Sequence, residues 1–77
     1  MITGMMWFDN DPKTDLTHKV VQAADYFRHK YGRIPNTCMV NPKSLEATSI
    51  QVGVILVRPM RAVLPGHLWI GVEELRS

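Results

Sequence analysis

The sequence predicts a small two-layer α/β (α+β) sandwich in the order β-α-β-α-β-β, a mixed sheet of four or five strands with one long helix and one short helix. Three observations predict it. An amphipathic stripe runs from Leu16 to Tyr31, short apolar runs bounded by Pro and Gly stand on either side of it, and 77 residues allow a single domain spanning 1–77. With 45% of residues hydrophobic and 21% charged, the composition excludes a disordered chain, and the length excludes a multidomain enzyme.

The first strand is predicted over Thr3–Phe8, where Met5-Met6-Trp7-Phe8 is apolar throughout. Turn formers end it at Asp9-Asn10-Asp11-Pro12, and Pro12 has no amide to give a ladder. The helix is predicted over 15–31. Leu16, Val20, Ala23, Ala24, Phe27 and Tyr31 recur at the spacing of one helical face. Thr14 or Asp15 serves as N-cap, Arg28, His29 and Lys30 place positive charge in the last turn, and Gly32 suits the left-handed position after it.

Thr37–Val40 reads as a short strand, and Asn41-Pro42 opens a short helix to about Ala47. The β-branched run Ile50–Val57 is predicted as one central strand ended by Pro59, and Met60–Leu64 as a short edge piece closed by Pro65-Gly66. Leu68–Val72 is the last strand, followed by the polar tail 73–77. Strands alternating with helices imply a right-handed βαβ crossover.

Side-chain alternation then raises a packing problem. Read as unbroken strands, Val52, Val54 and Leu56 oppose Ile55 and Val57, Leu68, Ile70 and Val72 oppose Trp69, and Met5 and Trp7 oppose Met6 and Phe8. One helical stripe covers one face, and monomers rarely expose a large apolar patch. A chain this short buries only about 60% of its unfolded surface. With one cysteine, Cys38, no internal disulfide forms, and the His and Cys positions lack zinc-ligand spacing. Oligomerisation is the remaining compensation, most simply a homodimer, with Met5, Trp7, Ile55, Val57 and Trp69 expected at its interface.

Candidate chemistry is sparse. Asp9, Asp11 and Asp15 cluster between the first strand and the helix, where oxygen ligands suit magnesium, although Asp at a helix start ordinarily caps and turns. No other cofactor is expected. His18, Asp25 and His29 share one helical face, the polar one. Lys13, Lys43, Arg58 and Arg61 form a basic set able to grip phosphates if they converge, and Arg28, Lys30 and Arg33 add charge near the helix end. The net charge of +2 is mild. Cys38, in a predicted strand, reads as a buried, inert thiol.

Asp9-Asn10-Asp11-Pro12-Lys13-Thr14 approaches the D-x-D-x-T strand end of haloacid-dehalogenase-type phosphatases, but Lys13 stands where that pattern has Thr. An EF-hand loop fails at the same lysine. The element order and the Asp ending the first strand resemble, over the first half of the chain, the small ferredoxin-like subunits of CRISPR adaptation complexes. That resemblance implies dimers that hold DNA. No apolar run approaches the length of a membrane span, no basic leader precedes an apolar core, and one free thiol fits a reducing cytoplasm. The leading expectation is a cytoplasmic self-associating interaction module without catalytic activity. The alternative is a dimeric nucleic-acid-binding protein using Arg58 and Arg61, and a third is metal-dependent phosphoryl transfer or nuclease activity at Asp9 and Asp11.

Overall fold

A computed structural model describes residues 2–74, so the end of the predicted polar tail, 75–77, lies outside the described residues. Strand β1 (Ile2–Phe8) leads through a loop to helix α1 (Leu16–Tyr31). Strand β2 (Thr37–Val40) is followed by one turn of 3-10 helix (Pro42–Ser44). Strands β3 (Ile50–Val52), β4 (Ile55–Pro59) and β5 (His67–Glu73) complete the chain. They form one five-stranded mixed sheet in the order β1-β5-β2-β4-β3. Strand β5 lies antiparallel between β1 and β2, β2 and β4 are parallel, and β3 and β4 form a hairpin. The two-layer α/β fold read from the sequence is therefore present.

Helix α1 begins and ends for the expected reasons. The Asp15 carboxylate accepts the His18 amide at 2.9 Å, and Gly32 at φ 68° donates its amide to the Arg28 carbonyl at 2.8 Å. Val20, Ala23 and Phe27 are fully buried against the sheet, joined there by Cys38, Val57 and Ile70.

Three expectations are corrected. The run Ile50–Val57 is two strands, because Gly53 takes φ 58°, the positive value that a two-residue hairpin turn demands. The turn resets side-chain alternation: Val52 pairs with Ile55 and Ile50 with Val57, all toward the helix, while Leu56 faces away. The second helix is only the 3-10 turn Pro42–Ser44, capped by Asn41 through the Lys43 amide. Met60–Leu64 is a turn held by Val63, whose amide donates to the Met60 carbonyl and whose carbonyl accepts from Asn41. A ferredoxin-like fold needs a second crossover helix, so the topological resemblance stops at the first βαβ unit.

The helix covers one face of the sheet and leaves the other open. On the open face Trp69 spreads its indole over the facing pair Gly4 and Gly71. A Cβ at Gly4 would overlap the ring, and one at Gly71 would overlap the Thr3 carbonyl and lie 2.6 Å from Gly4 Cα. Met6 (54% exposed), Phe8 (59%) and Leu56 (38%) also face that side, with Arg58 and Glu73 paired at 3.3 Å. Because Leu56 is the sole apolar residue that β3 and β4 contribute there, the apolar surface concentrates toward β1.

Four residues expected at an interface sit on the covered side. Ile55 and Val57 are buried beneath the helix, and Met5 and Trp7 pack half-buried against the same core. Only Trp69 of that set lies on the open face. In equilibrium urea unfolding, Phe27→Ala is expected to cost about 3–5 kcal/mol, and Gly71→Ala about 1–3 kcal/mol by overpacking. A Gly71→Ala variant as stable as wild type would contradict the close approach of β1 and β5.

Candidate functional site

Strands β1 and β2 end at the same edge of the sheet, and a pocket of about 480 Å³ opens there between the first turns of α1, the 3-10 turn and the start of β5. Its floor is apolar, with Leu16, Val40 and Leu68, and its rim carries Asp9, Asp11, Lys19 and Lys43. A crevice at the carboxyl ends of parallel strands is where open α/β sheets hold ligands.

The acidic loop is folded on itself. Asp9 Oδ1 accepts the Asp11 amide at 3.0 Å, Asp11 Oδ1 accepts the Lys13 amide at 2.9 Å, and the Thr14 hydroxyl donates to Asp11 Oδ2 at 2.9 Å. These bonds hold the Asp11 carboxyl below its ordinary value, the Lys13 amide contributing most. The His18 amide, then its ring, lower Asp15 in the same way. Asp15 is therefore spent as the helix cap and does not join Asp9 and Asp11 at the pocket. Among the described residues no group of three or more His, Cys, Asp or Glu side chains is placed to hold a metal ion. Asp9, Asp11 and Asp15 thus form turns and a cap rather than a ligand set.

Lys43 lines the pocket, Lys13 and Arg61 stand on exposed turns at the same end of the sheet, and Arg58 is engaged with Glu73 on the open face. His18, Asp25 and His29 remain on the solvated side of α1, tied to Asp15, Arg28 and the Asp25 carbonyl respectively. Among the described residues no helix is long and apolar enough to cross a membrane.

Sequence reading passed over Lys19 and Ser44, which sit at the pocket, and over Gly4 and Gly71. A glycine inside an apolar strand was the available signal for the latter pair, since it marks a close approach. Nothing local distinguished Lys19 from any other polar position of an amphipathic helix. Its ammonium donates to the Asp9 carbonyl at 3.1 Å, a contact ten residues away in sequence that only the fold creates.

Comparison with protein-family models, with curated proteins and with solved structures finds no match to this chain.

Two measurements check this chemistry. Asp11 and Asp15 stabilise the fold while ionised, because their carboxyls are held below the ordinary 3.8. That contribution is complete above the unfolded value and disappears as pH falls through the lowered folded one. Urea midpoints are expected to drop between about pH 5 and pH 2, with a shallower drop in the Asp11→Asn, Asp15→Asn double variant. Burial pushes the Cys38 thiol up to about 12. Iodoacetamide should therefore label Cys38 only on opening of the fold, and rapid labelling of native protein would contradict its burial.

Proposed function

We propose that this chain is an interaction module that self-associates, two copies pairing their β1 strands antiparallel to join their sheets. The observation that carries the reading is the character of β1. It is an edge strand of seven residues without charge or proline, and its register with β5 runs unbroken from Ile2 to Phe8. Proteins ordinarily blunt such an edge with lysine, proline or a bulge, because unpaired amides and carbonyls template another strand. The opposite edge, β3, is blunted by being only three residues long.

The phase of the ladder says which groups are available. The Asp9 amide donates to the Gly66 carbonyl at 2.9 Å, continuing the β1–β5 register. Residues 3, 5 and 7 therefore bond inward to β5, and Gly4, Met6 and Phe8 turn their amides and carbonyls outward. Both flanks of this edge are apolar. Met6 and Phe8 are exposed on the open side, and Tyr26, 49% exposed and tilted against Trp7 with ring centroids 5.1 Å apart, lies on the helix side. A two-fold axis beside β1 sets the outward backbone of one copy against that of the other, with apolar side chains on both flanks of the join.

Packing of open faces has less support, since the more exposed apolar side chains of that face, Met6 and Phe8, lie on β1 and Leu56 stands across the sheet from them. A nucleic-acid reading has less again, because Arg58, one of its two leading residues, is paired with Glu73.

Sedimentation between about 1 and 200 µM tests the reading. A concentration-dependent dimer is expected. Met6→Pro should weaken it at least about tenfold while circular dichroism stays native, because the outward amide of an edge strand tolerates proline. Leu56→Lys should leave the dimer intact. A monomer throughout, or a dimer lost only on Leu56→Lys, would overturn edge pairing.

A further inference from the structure

The pocket at the end of β1 and β2 has an imbalance of used and unused groups. Its carboxylates already accept bonds from their own loop: Asp9 takes one amide, and Asp11 takes an amide and a hydroxyl. Its donors are largely unspent. Among the described residues no group of the chain accepts from the exposed Lys43 ammonium or Ser44 hydroxyl, and the Lys19 ammonium gives one of its three hydrogens to the Asp9 carbonyl. Below these donors lies the apolar floor of Leu16, Val40 and Leu68, the last two almost fully buried. A cavity of about 480 Å³ lined by two lysines and a serine together with apolar side chains has the size of a small-ligand site.

We infer that this pocket binds a small organic anion, its carboxylate or phosphate oxygens held by Lys19, Lys43 and Ser44 and its short carbon chain seated on Leu16, Val40 and Leu68. The three donors come from two separate elements, α1 and the 3-10 turn, so the site exists only in the folded chain. The nearby carboxylates set the selectivity. They oppose a bare anion at the rim, so the carbon chain on the apolar floor has to supply the difference in affinity. The inference does not rest on β1 pairing, since none of Lys19, Lys43, Ser44, Leu16, Val40 and Leu68 belongs to β1.

Amide chemical shifts followed by NMR during titration with butyrate, butyl phosphate and inorganic phosphate test it. Saturable shifts confined to residues 9–19, 40–44 and 66–68 are expected, with one or both butyl compounds binding at least about tenfold tighter than inorganic phosphate, because the chain buries apolar area. The compound that binds identifies the head group. Lys43→Ala, at an exposed side chain that supports no other contact, should weaken binding at least about fivefold by loss of a charge-assisted bond. Lys13→Ala should leave it unchanged. Absence of saturable shifts, shifts spread evenly over the surface, equal affinity for inorganic phosphate, or unchanged binding in Lys43→Ala would each overturn the assignment.

Discussion

One helix against one face of a five-stranded sheet is the contact on which the rest depends. Phe27, Ala23 and Val20 descend from α1 into a layer made by Cys38, Val57 and Ile70, and every one of these residues is fully buried. Among the described residues no second helix is long enough to repeat the arrangement on the other side, because the chain after β2 forms only one 3-10 turn there. The sheet is therefore dry on one face and open on the other. A domain of this size has a stability on the order of 4–12 kcal/mol, so loss of a single large side chain such as Phe27 removes a substantial share of it.

The same asymmetry explains what the open side looks like. Trp69 is kept there by two glycines, which let the indole lie flat on the backbone where any side chain would displace it. The ring thus shields the β1–β5 ladder without help from another layer. What stays exposed is shifted to the margin: Met6 and Phe8 above the β1 edge, Tyr26 below it, and between them the outward backbone of Gly4, Met6 and Phe8. The loop end is different in kind. There the acidic residues are consumed by turns and a helix cap, while lysines from α1 and the 3-10 turn face an apolar hollow. One end of the molecule offers charge over a cavity and one edge offers backbone.

Much of the fold was legible in the sequence because the signals were local. The stripe from Leu16 to Tyr31, the Asp15 cap and Gly32 defined α1 within a residue, and Thr37–Val40 was read with its observed bounds. The largest misreading came from one glycine. An uninterrupted β-branched run hid the turn at Gly53, and because strand alternation has period two, an unseen two-residue turn shifts Ile55 and Val57 onto the same side as Val52. The sheet consequently seemed apolar on both faces across its whole width, and Ile55 and Val57, which lie beneath the helix, were expected at an interface. The pocket was half legible. The acidic loop stood out, but Lys19 and Ser44 became neighbours only through long-range folding, and their spacing in sequence carries no periodic mark.

The account's central claim is that the outer edge of β1 is where a second copy attaches. Hydrogen–deuterium exchange at the amides of Gly4, Met6 and Phe8, measured over a range of protein concentrations, tests it most directly. These amides point away from β5, whereas those of Met5 and Trp7 bond to it at any concentration. The account predicts fast exchange of the even-numbered set in dilute protein and slowing as concentration rises, with the odd-numbered set protected throughout. Exchange of Met6 and Phe8 that stays fast up to concentrations of about 200 µM would contradict it.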